Sequence, residues 1–253
     1  AEADRGLHHR PFWLERQGNR MAKRLQRELE KIKKRVLSLC AMVEERVHMA
    51  KKSVETWDAD LAGEIVRKDY EIDELEVEVE EECLKILALH QPVAVDLRFL
   101  IAVIKINTDL ERIGDEACNV AKRVENISRR RRLELSFDYS TMAEKVVTML
   151  HMSIDSLVNL DLDLAFQVMT MDDDVDRMYR EIYDRIKAAI SDRPEYVGYM
   201  INLNGISRCL ERIGDHCTNI AEEVIYLIEG EIIRHAKKTA EQKEGGKGPA
   251  SPR

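Results

Sequence analysis

The chain has 253 residues, of which 44% are hydrophobic, 35% charged and only 5% aromatic, and it holds just 11 Gly and 5 Pro. A chain of this length can bury one or two compact cores, and this composition indicates amphipathic helices and argues against an all-β fold. The formal net charge of −8 provides no overall positive field that would attract nucleic acid or anionic lipid. The five cysteines lack CxxC or CxxH spacing, which argues against disulfides and thiolate metal sites and indicates a reducing, cytoplasmic compartment.

Three long helices are predicted in the first half of the chain. Apolar residues recur at steps of three and four over residues 21–56 and again over residues 58–90, the pattern of helices that bury one face. Asp58 and Asp60 are candidate N-caps for the second of these, and a proline ends it. A third stripe follows over residues 103–127. Residues 1–20 lack the apolar segment of a signal peptide, and we expect a leader or an artificially added extension without a functional role.

The second half repeats this organisation. After a linker at residues 131–138, helices are predicted over residues 139–159, 161–190 and 194–228. No uncharged apolar run reaches the length of a membrane span, so we expect contact with membranes only through partners. The tail over residues 231–253 is polar and rich in glycine and proline, and we expect it to be disordered.

A duplication relates the two halves. The segment DLERIGDEACNVA at 109–121 matches CLERIGDHCTNIA at 209–221 in eight of thirteen positions, at an offset of 100 residues. Upstream, residues 58–73 match residues 161–176 at an offset of 103. Three single-stripe helices in each copy predict an all-α protein of two tandem three-helix bundles packed in series. The predicted bundles cover residues 21–130 and 139–230.

Acidic residues recur in both copies. Duplicated core positions need only be apolar and of similar size, so a polar pattern held by both copies requires another explanation. Carboxylates stand one turn apart on two helices of each copy, and this spacing projects both in the same direction. The candidate metal-binding residues are Asp69, Asp73, Glu111 and Asp115 in the first copy and Asp172, Asp176, Glu211 and Asp215 in the second.

These carboxylates are predicted to lie on the bundle surface. At about 100° per residue, Glu111 and Asp115 point nearly opposite to the apolar stripe of their helix. Like charges one turn apart repel by a few tenths of a kcal/mol, a cost that a cation or a partner would relieve. Gly114 and Gly214 lie in helix interiors, where glycine costs roughly 1 kcal/mol relative to alanine, which indicates close approach of another helix or a partner. The alternative is that the acidic faces are only solvated.

The donor types narrow the choice of cation. Carboxylates without imidazole or thiolate favour hard cations such as Mg²⁺, Ca²⁺, Mn²⁺ or ferric iron. A di-iron oxidase needs Glu-x-x-His on two helices, and the one matching segment ends at His48. Its counterpart His151 has Thr148 in place of the glutamate, which disfavours oxidation chemistry. His216, next to Asp215, is a candidate supplementary ligand.

The motifs of the chain are similar to those of one known family. They are QPVAVDLRFLIAVIKINTDLERIGDEACNVA at 91–121, LERIGDHCTNIAE at 210–222, and the two Asp-xxx-Asp segments upstream of them. With this spacing the chain resembles the PhoU family, the regulatory proteins of phosphate transport systems, over about residues 21–230. The resemblance implies two three-helix bundles whose surface carboxylates, the eight named above, hold iron, zinc or other metal clusters, one site in each bundle.

The resemblance also implies a function. It implies a cytoplasmic negative regulator that couples the ATPase of the phosphate ABC transporter to a phosphate-sensing histidine kinase, without catalysis of its own. A homodimer is expected. Two alternatives stay open, namely a carboxylate-bridged metal-dependent oxidase or phosphohydrolase, and a purely structural helical interaction module. The sequence contains no obvious phosphate-binding loop, so we expect no direct sensing of phosphate.

Overall fold

The computed structural model describes residues 12–129 and 137–231, with side chains described from residue 23 onward. Within these ranges the chain is helical and forms no strand, which confirms the all-α prediction. The first bundle contains α1 to α4, in which α2 and α3 form one broken rod, and the second contains α5 to α7. The helices are α1 (Phe12–Thr56), α2 (Ala59–Arg67), α3 (Tyr70–His90), α4 (Ala94–Ser128), α5 (Tyr139–Asn159), α6 (Leu162–Asp192) and α7 (Val197–Glu229), with a 3₁₀ turn at Pro194–Tyr196.

Aspartate side chains cap the N-termini of three of these helices. Asp58 accepts hydrogen bonds from the first backbone N–H groups of α2 at 2.9 and 3.0 Å. Asp138 caps α5 through the N–H of Thr141, and Asp161 caps α6 through the N–H of Leu164. Each cap satisfies N–H groups that have no acceptor within the helix. Of the two predicted N-caps, Asp58 is confirmed, whereas Asp60 was wrong because it lies within the first turn of α2.

Two of the predicted boundaries were wrong. α1 begins at Phe12, so residues 12–20 continue the helix that was predicted to start at residue 21. The helix predicted over residues 58–90 is interrupted between α2 and α3. The remaining terminal and linker predictions fall largely outside the described residues, at 1–11, 130–136 and 232–253.

Arg46 of α1 is bonded to both sides of the break between α2 and α3. Its buried side chain donates from Nη1 to the carbonyl of Ile65 at 3.4 Å and pairs through Nη2 with Glu71 Oε2 at 3.2 Å. The N–H of Lys68 bonds to the carbonyls of both Glu64 and Ile65, the tightened pattern of a helix end. At the equivalent position of the second bundle, α6 continues without interruption. The duplication is therefore not structurally uniform.

The two bundles lie side by side. α4 and α7 share the most extensive interface of any helix pair, and α1 also packs against α5. One cluster of buried apolar residues extends through both bundles. The predicted packing in series was wrong, because the third helix of each copy has a second face that packs along its duplicate.

Polar pairs cross the interface between α4 and α7. Asp109 Oδ1 accepts hydrogen bonds from His216 Nδ1 at 2.8 Å and from Asn219 Nδ2 at 3.0 Å. Arg212 Nη1 pairs with Glu116 Oε1 at 2.6 Å. Asp109, Glu116 and His216 are all buried. Since a buried charge left unpaired costs several kcal/mol, these contacts select one alignment of the two helices.

Candidate metal-binding surface

The first carboxylate cluster joins the start of α3 to the middle of α4. Asp73 and Asp115 are exposed, whereas Asp69 and Glu111 are half-buried. Burial raises the pKa of Asp73, Glu111 and Asp115, and repulsion between carboxylates raises each further. Asp73 is repelled by Asp69, Glu111 by Asp115 and Asp73, and Asp115 by Asp69 and Asp73. Because screened charges repel appreciably only at short range, the four side chains form one acidic patch.

Glu76 is an additional member of this cluster that sequence reasoning missed. Burial and the charges of Glu80 and Asp73 raise its pKa, and it in turn raises the pKa of Glu111. Its Oε1 accepts a hydrogen bond from Asn107 at 3.1 Å. Glu76 stands three residues after Asp73 on the same helix face, and this spacing could have revealed it. The comparison of repeats hid it, because the equivalent position in the second copy is a tyrosine.

Asp69 is also tied to α4. The thiol of Cys118 donates a hydrogen bond to Asp69, and burial together with this carboxylate raises the pKa of the thiol to about 11. Lys122, one turn further along α4, lies within electrostatic range of Asp69 and Asp115. The residue at the position of Lys122 in the second copy is Glu222. The first cluster therefore has a lysine close by where the second copy has a further acid.

The second cluster joins the middle of α6 to the middle of α7. Glu211 is half-buried, and its pKa is raised to about 7 by burial first and then by Asp215 and Asp176. Asp172 lies at the contact between α6 and α7, where its Oδ1 is buried and faces Gly214. The structure thus brings Asp176, Glu211 and Asp215 together and places Asp172 beside them at the α6–α7 contact.

The duplicated glycines allow the acidic helices to approach each other. A Cβ atom on Gly114 would lie 2.9 Å from Ile72 Cδ1, and one on Gly214 would lie 3.3 Å from Asp172 Oδ1 and 3.6 Å from Val175 Cγ1. Ile72 and Val175 lie within the two Asp-xxx-Asp segments. The close approach predicted at these glycines is therefore confirmed, and it sets the distance between each pair of acidic helices.

The donor set fits a hard cation by its chemistry. All the proposed ligands are carboxylates. Burial and then the neighbouring carboxylates raise the pKa of Glu111, Asp115 and Glu211, so their charged forms are disfavoured in a way that a bound cation would relieve. Across residues 12–129 and 137–231, no three His, Cys, Asp or Glu side chains converge closely enough to hold one ion as they stand. Coordination would therefore require rotation of the longer side chains.

His216 and His151 make their contacts outside the two clusters. His216 was a candidate supplementary ligand from its sequence neighbour Asp215, but it is buried and bonded to Asp109 across the α4–α7 interface. His151 accepts or donates at Nδ1 to Glu44 at 2.9 Å and has Asp155 at 3.4 Å from Nε2. These contacts connect α5 to α1 and do not involve the acidic helices.

In the part of the chain that the structure describes, no helix is long and apolar enough to cross a bilayer.

Comparisons with known proteins agree with this architecture. The family model described as the PhoU domain matches the chain twice, over residues 36–124 and 139–224. The chain belongs to the PhoU family. Each match contains one complete carboxylate cluster with its glycine, so the two clusters occupy corresponding places in two PhoU domains.

The similarity to known relatives extends over most of the chain. The phosphate-specific transport system accessory protein PhoU homolog of Aquifex aeolicus is 36% identical over 84% of this chain and 96% of its own length. The Pseudomonas aeruginosa homolog with the same description is 35% identical over 86% of this chain and 90% of its own. The crystal structure of PhoU from Pseudomonas aeruginosa has a TM-score of 0.79 and covers 81% of this chain. The PhoU structure from Streptococcus pneumoniae, a phosphate transport system regulatory protein, has a TM-score of 0.76 at 27% identity.

Proposed function

We propose that this PhoU-family protein is an accessory regulator of phosphate transport that acts by binding rather than by catalysis. It represses phosphate uptake and phosphate-starvation signalling from the cytoplasm, as an adaptor between the ATPase of a phosphate ABC transporter and a sensor histidine kinase. The relatives with PhoU descriptions are named as accessory or regulatory proteins of phosphate transport. Their similarity covers both bundles, which supports the same role here.

The observation that carries the proposal is the pair of acidic clusters, one in each PhoU domain. Each cluster places carboxylates from two helices on one surface, and the glycine contact brings those helices together. Charge repulsion within a cluster is relieved by a divalent or ferric cation or by a basic partner surface. A cation held there would convert a repulsive acidic surface into one that accepts additional acidic groups from a partner.

The first test is the metal content of the purified protein. We expect iron, zinc or manganese to bind after reconstitution and to be lost from the first cluster in Glu111→Ala/Asp115→Ala. Elemental analysis gives the stoichiometry. Glu181→Ala/Asp184→Ala is the matched control, because it removes the same charge from exposed positions of α6. A metal stoichiometry in the cluster variant equal to that of the parent chain would contradict the assignment of these carboxylates as ligands.

The same variants test the adaptor role. We expect Glu111→Ala/Asp115→Ala to weaken binding to the transporter ATPase and to derepress a phosphate-starvation reporter, with the α6 control variant behaving as the parent chain. Binding is measured by surface plasmon resonance with and without added metal. Metal binding without any effect on either partner would retain the cation sites and reject their regulatory role.

A further inference from the structure

The two bundles differ at one buried position. Arg46 of α1 corresponds to Met149 of α5 at the repeat offset of 103 residues, and both side chains are buried, at 3% and 0% exposure. Arg46 is bonded to Ile65 and Glu71, on the two sides of the α2–α3 break. Met149 has only apolar contacts to offer, and α6 beside it is continuous. The charged side chain of Arg46 is therefore buried beside the α2–α3 break, whereas the apolar side chain of Met149 is buried beside the uninterrupted α6.

The break changes the setting of the first aspartate of each cluster. Asp69 is the last residue before α3 and makes no capping hydrogen bond with its own helix, so its carboxylate is available to Cys118 of α4. Asp172 lies within the continuous α6, and its Oδ1 is buried against Gly214. At the corresponding Gly114 the nearest atoms belong to Ile72 and not to Asp69. The duplicated aspartates consequently stand in different places relative to their partner helices.

We propose that Arg46 is a positioning residue for the first carboxylate cluster. By holding the α2–α3 break it sets where Asp69 and Asp73 stand relative to α4, and so makes the two clusters unequal cation sites. This inference rests on the proposed cation binding at the clusters. It adds that binding at the first cluster, and not at the second, depends on a side chain whose hydrogen bonds go to Ile65 and Glu71, outside the cluster.

The variant Arg46→Met tests this with little risk to folding. Removing one partner of an ion pair is costly where the charge left behind stays buried. The second bundle already carries a buried methionine at this position. Ile65 keeps its hydrogen bond from the Lys68 N–H, and the side chain of Glu71 is 38% exposed and can be solvated. The chain should therefore fold while the constraint on the break is lost.

The experiment measures Mn²⁺ affinity at each cluster separately in the full chain. Glu211→Ala/Asp215→Ala leaves only the first cluster to titrate, and Glu111→Ala/Asp115→Ala leaves only the second. Isothermal titration with MnCl₂, checked by electron paramagnetic resonance of free Mn²⁺, gives each Kd. Adding Arg46→Met should weaken the first cluster by about tenfold, the size typical of losing an outer-shell support, and leave the second unchanged within about twofold.

Two further variants separate positioning from general loosening. Arg35→Met removes an exposed ion pair between α1 and α3, the helices that Arg46 and Glu71 also connect, in which Arg35 Nη1 lies 2.8 Å from Glu78 Oε2. This variant should leave the Mn²⁺ affinity of both clusters unchanged. Glu71→Gln removes the acidic partner of Arg46, so combining it with Arg46→Met should weaken the first cluster no more than Arg46→Met alone. Amide hydrogen exchange at residues 66–72 should become faster in Arg46→Met and stay unchanged in Arg35→Met.

The outcomes distinguish this inference from the proposed function. A parent chain that binds no Mn²⁺ at either cluster overturns both. Binding of Mn²⁺ at the first cluster with the same Kd in the parent and Arg46→Met overturns the positioning role alone. Equal weakening of both clusters also rejects it, because the effect would then be a global loss of stability.

Discussion

At the residue scale, Glu211 shows how folding can place a carboxylate where burial and neighbouring negative charges disfavour its ionised form. Its ordinary pKa is 4.5, and burial followed by the charges of Asp215 and Asp176 raises the pKa to about 7 in the folded protein. The folded state thus holds a proton on Glu211 more tightly than the unfolded state does. By linkage, the stability associated with this proton is fully present below pH 4.5 and is lost as the pH rises towards 7. Glu211 is therefore destabilising in its charged form when no cation is bound.

We expect Glu211→Gln to remove this loss of folding stability at higher pH. In the presence of a chelator, the variant should be more stable than the parent chain by about 1 kcal/mol at pH 8, after allowance for solvent screening of a half-buried group. At pH 4 the two proteins should be equally stable, because Glu211 is then protonated in both states. Urea unfolding at the two pH values measures the difference, with Glu181→Gln on exposed α6 surface as the control. A less stable variant at pH 8 would contradict the assigned repulsion.

At the element scale, glycine determines how closely α3 approaches α4. Gly114 costs helix propensity but leaves room for Ile72, whose Cδ1 and Cγ2 would lie 2.9 and 3.3 Å from a Cβ atom. Ile72 is 1% exposed and is flanked by Asp69 and Asp73 on its own helix segment. The contact between α3 and α4 therefore serves the core and the acidic cluster together, and any displacement of α3 moves both aspartates.

We expect Gly114→Ala to lower the free energy of unfolding by about 1 kcal/mol. The cost of overpacking a buried β-branched neighbour, about 1–3 kcal/mol, exceeds the gain of about 1 kcal/mol in helix propensity. Gly63→Ala is the matched control on α2, because its Cβ would meet only the flexible end of Arg67, at 3.2 Å. That variant should be as stable as the parent chain or more stable. Chemical denaturation compares them, and equal stabilisation by both alanines would refute the close-packing argument.

At the scale of the whole molecule, the duplicated helices pack with approximate two-fold symmetry. Asp109 of α4 bonds to His216 of α7, while Cys209, the duplicate of Asp109, bonds to Glu116, the duplicate of His216. Matched positions have therefore diverged into complementary partners. Lys105 Nζ also pairs with Glu223 Oε2 at 3.1 Å across the same interface. The apolar core continues through this interface, so the bundles are built to unfold together.

We expect one cooperative thermal transition for both bundles. Calorimetry should give equal calorimetric and van't Hoff enthalpies, and Asp109→Ala should keep the single transition while lowering stability by about 2–3 kcal/mol, since His216 and Asn219 lose their buried acceptor. The exposed Asp184→Ala is the control and should have little effect. Two resolved heat-capacity peaks in the parent chain would show that the bundles fold independently.

Several features were readable from the sequence because they depend on local or repeated patterns. The apolar stripes predicted the helices, and the aspartate before α2 predicted its cap. The glycines of the repeated ERIGD motif predicted the close helix contacts. The resemblance to the family followed from the same motifs. The α2–α3 break was not readable, because the apolar stripe continues through it and Arg46, which is bonded to both sides of it, is 25 residues away from Glu71 in sequence.

The sequence by itself determined the helical class, the two copies and the acidic residues on their surfaces, since periodicity and duplication are properties of the chain. Only the tertiary structure decided that the copies pack side by side, that His216 bonds across the interface and that α2 and α3 are separate helices. These outcomes depend on which faces of different helices meet. A one-dimensional pattern states which face of each helix is apolar, but the choice of partner for that face is made by packing.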